Sequence, residues 1–375
     1  MKQYIYQLKT WPHFTWDHLR LAEPLARVHH EQGRLLGRME GLGFPLQQEA
    51  LLLTLTEDVL KSSEIEGERL NEGLVRSSIA RRLGIDIGGL EIVDRDVEGV
   101  VEMMLDATRR YDKPLSADRL HGWHASLFPT GRSGMKKVKT GAWRDDGEGP
   151  MQVVSGPLGR QRVHFEAPAA RYLPREMRAF LHWFNGANEK DWVVKASVAH
   201  LWFVTIHPFD DGNGRIARAI ADMSLARAEK SSRRFYSMSA QIRRERRAYY
   251  DQLEHAQQGA MDISSWMEWF LHCMERAIDG AQNTLAAVLA KARFWESAAA
   301  ASLNERQRLV LNRVLDGFEG KLTTSKWAKL ANCSQDTASR DILALVHQGL
   351  LKRNPQGGRS TSYSVVAATP SESAP

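Results

Sequence analysis

Apolar residues recur at three- and four-residue spacing through most of the 375-residue chain, the period of helices that bury one face. The run WDHLRLAEPLARVHHEQGRLLGRMEGLG predicts a helix closing at Gly41–Gly43, since glycine favours the left-handed C-cap. QQEALLLTLTEDVLKSSEIEGERL predicts a second, ending near Glu66–Gly67, and VDRDVEGVVEMMLDATRRY a third that stops before Pro114. SADRLHGWHASLF starts with a Ser N-cap and ends at Pro129. Helical periodicity returns in LPREMRAFLHWFNG, VVKASVAHLWFVTI, RIARAIADMSLARAE and ERRAYYDQLEHAQQ. A long amphipathic helix follows, from an Asp cap at DISSW to a connector at SAAAAS.

Between Gly131 and Pro168 the period breaks. Two short β-prone runs, Met151–Val154 and Arg162–Phe165, flank a loop at Gly156–Gln161 and predict a β-hairpin. An isolated hairpin is marginal in water, so this one needs support from neighbours. After Leu303 the order is helix, short helix, turn, helix, then two extended runs around a Pro-Gly-Gly turn carrying Arg353 and Arg359. That order resembles a winged helix-turn-helix, with Ser334, Gln335, Asp336, Thr337, Ser339 and Arg340 at the exposed start of the recognition helix.

Composition adds two points. No apolar run reaches membrane-spanning length, and the two cysteines, Cys273 and Cys333, lie far apart, so a cytoplasmic protein without a disulfide framework is the expectation. The net charge is +6, and residues 304–365 hold ten Lys/Arg against five acids. The surplus therefore sits at the C-terminus, where it suits nucleic acid or a solvated face.

The densest chemistry is HPFDDGNGRIAR, His207–Arg218. Helical flanks on both sides exclude a hairpin turn. A calcium loop fails because Phe209 and Ile220 fall where carboxylate ligands belong. What remains is an anion site. Gly212, Asn213 and Gly214 present backbone N–H groups at the positive end of a helix, and Arg215 and Arg218 add charge. Asp211 suits a Mg²⁺ between itself and a phosphate, and His207 suits a base near neutral pH.

HPFDDGNGRIAR is similar to the Fic motif, H-x-F-x-[D/E]-G-N-G-R-x-x-R, at every fixed position. The opening WPHFTWD resembles the N-terminal domain that often precedes a Fic core. The resemblance implies a mainly α fold: a Fic-type helical bundle with a β-hairpin flap, plus a small winged-helix domain. It implies an N-terminal helical domain over 1–110, a Fic core over 111–285, a linker over 286–302, the winged helix over 303–367 and a disordered tail over 368–375. It implies transfer of AMP from ATP, with Mg²⁺, to a Ser, Thr or Tyr hydroxyl of a target protein or of the chain itself. In that scheme His207 is the base, Asp211 holds the metal, Gly212–Gly214 form the anion hole, and Arg215 and Arg218 take the phosphates. Phe209 anchors the loop, and His200 is structural. Tyr249 and Gln257 match adenosine contacts, Val163 and His164 on the flap cover the nucleotide, and a target segment pairs with the flap edge. Ser62-x-x-x-Glu66-Gly67 matches the family's inhibitory motif, in which Glu66 would hold Arg218. Some relatives also use that glutamate to remove AMP, which gives Glu66 a second candidate role. DNA and a second copy of the chain are further candidate partners. The competing reading is a DNA-binding regulator whose Fic domain senses nucleotide.

Overall fold

The computed structural model describes residues 3–87, 94–147, 149–156, 160–186, 191–299, 301–316, 320–355 and 361–366. The chain divides into two compact units, residues 1–42, 51–83 and 91–281 in one and 43–50, 84–90 and 282–375 in the other. The wing turn with Arg359, the tip of the flap loop (157–159) and the tail 368–375 lie outside the described residues.

Asp17 opens α1 (His18–Glu40), its carboxylate accepting from the amides of Leu19 and Arg20. α2 (Phe44–Ile65) stops one residue before Glu66, which puts that carboxylate in a turn instead of on the helix. α3 (Glu72–Leu83) was not expected from periodicity; it buries Ser77, Ser78 and Ala80 beside Val75 and Ile79, so its inner face is too small and polar to register as a stripe. α4 (Arg95–Arg109) and α5 (Ala117–Leu127) start at Asp94 and Ser116 caps. A two-residue ribbon, β1 (Arg132–Ser133) with β2 (Lys136–Lys137), precedes the hairpin β3 (Gln152–Ser155) and β4 (Arg162–Glu166).

α6 (Leu173–Asn185), α7 (Trp192–Ile206), α8 (Asn213–Glu229), α9 (Met238–Arg244), α10 (Arg246–Gln258) and α11 (Ser264–Ser297) follow. α7 is buried at every residue from Val193 to Ile206, and α8 is buried nearly throughout to Ala226. A helix apolar on all sides belongs at the centre of a bundle, and the loop 207–212 between these two helices is thereby held at the core. The hairpin finds its support at the N-terminus: Tyr4 meets Phe165 edge-on at 5.0 Å, with Tyr6, Met151 and Val153 around them.

In the C-terminal stretch the three helices α12 (Glu305–Leu315), α13 (Thr324–Leu330) and α14 (Gln335–His347) and the strand pair β6 (Leu351–Arg353) and β7 (Ser362–Val365) follow the expected order, and a short strand that was not expected, β5 (Leu322–Thr323), precedes α13. The three strands pair as β5-β7-β6, antiparallel, over a core of Val310, Leu311, Trp327, Ile342 and Leu345.

A buried polar network fixes α8 within the first unit. Arg234 bonds Asp222, and Glu229 accepts from Gln32 (2.7 Å) and Tyr236 (2.6 Å). Removing one partner of such a cluster leaves uncompensated charge in the interior. Arg234→Met is expected to lower stability by about 3–5 kcal/mol, seen as a fall in the chemical-denaturation midpoint of this unit.

Candidate active site

The motif loop is built by three devices. His207 ends α7 with a left-handed backbone, φ 52°, its N–H donating to the Phe203 carbonyl at 3.0 Å. Phe209 is fully buried and stacks on His124, centroids 4.2 Å apart and rings nearly parallel. Asn213 clamps the loop with both ends of its amide: Oδ1 accepts from Phe209 N–H (3.0 Å) and Nδ2 donates to Phe209 O (2.8 Å). Gly212 turns the chain at φ 76°, where an added Cβ would stand 3.0 Å from the Phe128 ring. The first bond of α8 runs from Ile216 N–H to Gly212 O at 3.0 Å, so the amides of Asn213, Gly214 and Arg215 have no intrahelical acceptor and suit an anion.

Arg144 braces this loop from below and was invisible to sequence reasoning. Its Nε donates to His207 O (2.7 Å), its Nη2 to Pro168 O (2.6 Å) and its backbone N–H to Pro208 O (2.9 Å). It lies in a Gly/Pro-rich stretch without periodicity, so nothing local marks it as buried.

Burial pushes the His207 imidazole down to about 4. Nδ1 faces the Val204 carbonyl at 3.2 Å. A carbonyl only accepts, so Nδ1 carries the proton and Nε2 is left with a lone pair. A neutral imidazole in that tautomer is ready to take a proton.

Arg218 is almost wholly buried. Its Nε donates to Ser62 Oγ (3.0 Å), and its Nη2 donates to Ser62 O (2.8 Å) and Glu66 Oε1 (2.8 Å). Burial pulls this guanidinium down, but the Glu66 carboxylate outweighs it and holds the group fully charged. Its Nη1 has no hydrogen-bond partner among the described residues. A Cβ on Gly214 would come within 2.2 Å of Glu66 Oε1, so that carboxylate lies directly over the first turn of α8. Gly67 makes the turn behind it with φ 90°. Sequence reasoning missed the neighbouring pair: Glu68 Oε2 accepts from Arg215 Nη1 at 2.6 Å. An acid two residues after Glu66 was the available signal.

A cavity of about 760 Å³ opens in front of these groups. Glu66, His207, Gly214, Tyr249, Gln257 and His164 line it, as do Val153, Val154 and Ser155 of β3. Arg243, Arg246 and Arg247 on its rim were not foreseen. Val163 is absent from the lining, while Val153 and Val154 of the paired strand contribute to it. Tyr249 is buried, its OH 2.9 Å from His200 Nε2. Burial holds His200 neutral, with its pKa at about 3. Gln257 sits near Val204 O and Thr205 Oγ1 at 3.5 and 3.4 Å.

Asp211 is half-buried and accepts from the Gly212 amide at 2.6 Å. No cluster of three metal-ligating side chains occurs among the described residues. A lone carboxylate beside a phosphate nest suits a Mg²⁺ that keeps water and shares its coordination with a nucleotide.

Residues 114–225 match the profile of the Fic/DOC family, and residues 4–85 match a domain of unknown function, DUF4172. The chain carries a Fic domain. Among curated proteins it is similar to protein adenylyltransferase Fic of Drosophila grimshawi, 34% identical over 132 residues, and to that of Nematostella vectensis, 33% over 114 residues. These alignments cover 34% and 30% of this chain, and only 26% and 25% of the relatives. The crystal structure of a Fic family protein from Desulfovibrio desulfuricans G20 shares the fold at 20% identity, with a TM-score of 0.52 over 92% of this chain and 96% of that one. Within the Fic domain, the loop, Arg215 and Arg218 lie on elements of the matched segment. Ser62, Glu66 and Glu68 reach it from the DUF4172 segment.

Glu66→Ala should leave Arg218 its two Ser62 contacts but no anion. The expected loss is about 1–3 kcal/mol. Magnesium-ATP should then raise the melting temperature more in this variant than in the parent chain, because the ligand supplies the missing charge; differential scanning fluorimetry reads both.

Proposed function

We propose that the chain is a self-inhibited protein adenylyltransferase. The observation that carries this reading is the Glu66 carboxylate, bound to Arg218 at 2.8 Å and seated over Gly214 at the unpaired first amides of α8. An acceptor hydroxyl would attack the α-phosphorus of ATP, lose its proton to Nε2 of His207 and expel pyrophosphate. The first amides of α8 and Arg215 would stabilise the charge that develops on the phosphate oxygens. A magnesium ion held by Asp211 against the phosphates would supply charge neutralisation and orientation.

Tyr249, Gln257 and His164 stand where they can meet the nucleoside, and an extended target segment can add to the flap edge by backbone pairing. Glu66 withholds Arg218 from the γ-phosphate, and Glu68 withholds Arg215 in the same way. A displaced triphosphate leaves the α-phosphorus out of line, and small misplacements are expensive in rate. In the reverse direction Glu66 would orient water for AMP removal. On this reading residues 1–110 supply the inhibitory segment, 111–285 the catalytic core and 303–367 a winged-helix module beyond the 286–302 linker.

A second reading concerns that module. Ser334, Gln335, Asp336 and Arg340 are exposed at the start of α14, the face a recognition helix presents to a groove. Duplex binding that weakens steeply with salt would support it; no binding at low salt would remove it.

The transferase reading is tested with α-labelled ATP, magnesium and cell lysate. Weak protein labelling by the parent chain, strong labelling by Glu66→Gly and none by Glu66→Gly/His207→Ala are expected. Glu68→Ala alone should raise labelling less than Glu66→Gly, and the double variant Glu66→Gly/Glu68→Ala should exceed either. Absence of labelling by Glu66→Gly would sink the reading.

The base must be neutral to act, and burial lowers the pKa of His207 to about 4. Activity of Glu66→Gly should therefore persist as pH falls through 6.5, the ordinary histidine value, and decline only near about 4. A pH–rate profile with its acid limb centred at the ordinary value would contradict this assignment.

A further inference from the structure

The cavity wall carries a second acid–base arrangement, separate from the motif. Ser155 Oγ lies 2.6 Å from Nε2 of His164, and Nδ1 of the same ring lies 2.7 Å from Oε2 of Glu254. Burial pulls the Glu254 carboxyl up, but hydrogen bonds from His164, Arg162 and Gln258 outweigh it and hold it down at about 2. The carboxylate is thus an acceptor, Nδ1 carries the proton, and Nε2 accepts from the serine hydroxyl. Hydroxyl, imidazole and orienting carboxylate in that order are what activates a serine.

The placement depends on an irregularity in the flap. Val153 pairs with Phe165 and Val154 with Val163, so His164 is the extra residue of a bulge in β4. A bulge re-aims a side chain next to a site, and here it sets His164 against both Ser155 and Glu254. From α10, Gln258 Nε2 donates to the His164 carbonyl at 2.9 Å and pins the bulge. Ser155, His164 and Glu254 all line the cavity that contains His207 and Gly214.

We propose that Ser155 is a nucleotidyl acceptor within the chain itself, with His164 as its base and Glu254 as a positioning residue. The proposal rests on the transferase reading. Ser155 Oγ forms a bond to the α-phosphorus of ATP, and the bond from that phosphorus to the pyrophosphate oxygen breaks. Pyrophosphate leaves with the electron pair, and the hydroxyl proton passes to Nε2 of His164. The product is a phosphodiester on the flap, at the strand where a target protein would present its own hydroxyl.

The experiment incubates full-length Glu66→Gly with magnesium-ATP, with and without lysate, and maps AMP by peptide mass spectrometry. AMP on Ser155 is expected. In the Glu66→Gly background, Ser155→Ala should remove that self-label and Ser155→Thr should retain it. His164→Gln keeps a polar side chain but no base and should slow self-labelling by roughly 10²-fold or more. Glu254→Gln should also slow it, and Glu254→Asp should restore part of the rate, which a purely structural tie would not predict for a shortened side chain. Labelled lysate proteins beside a bare Ser155, or undiminished self-label in Ser155→Ala, would overturn the site while leaving the transferase reading intact. No label on any protein would remove both.

Discussion

A guanidinium buried as deeply as Arg218 needs an anion, and the identity of that anion organises the whole site. In this structure the anion is Glu66, assisted by both oxygens of Ser62. Because Glu66 also covers Gly214, the same carboxylate closes the helix terminus and occupies the cation. Glu66 thus fills the small volume between Arg218 and the first turn of α8. The pairing needs only an end of α2 placed so that its next residue meets α8.

The receiving surface is rigid for reasons that can be named. α7 and α8 are buried around nearly their whole circumference, which holds them at the centre and leaves the loop between them little freedom. The Asn213 amide ties that loop to the Phe209 backbone, the Phe209 ring fills the space beside His124, and Arg144 holds the His207 and Pro208 carbonyls from below. Backbone amides that are to hold an anion tolerate little positional error, and this bracing fixes the first turn of α8. The second clamp, Glu68 on Arg215, is more exposed and so is worth less than the first.

The flap is a different kind of element. Two strands of four and five residues could not persist alone. Tyr4 and Tyr6 pack one face, and Glu254 and Gln258 of α10 hold the other through Arg162 and His164. The N-terminal residues thus help to shape the cavity wall, although they lie farthest from the motif in sequence.

Local chemistry was legible in the chain because it is contiguous. HPFDDGNGRIAR holds its histidine, carboxylates, glycines and arginines within twelve positions, and most helices announced themselves by period and caps. Ser62–Gly67 was legible only beside that motif, since an acid at a helix end has no meaning alone. Periodicity missed α3, whose buried face is made of serine and alanine. Arg144, Glu68, the rim arginines and the hydrogen-bonded row Ser155–His164–Glu254 depend on residues brought together across the fold, and His164 is the extra residue of a bulge. The sequence by itself determined which groups could handle a phosphate. The tertiary structure alone decided that Arg218 is already occupied, because only burial makes a cation demand a partner and only packing brings Glu66 to it.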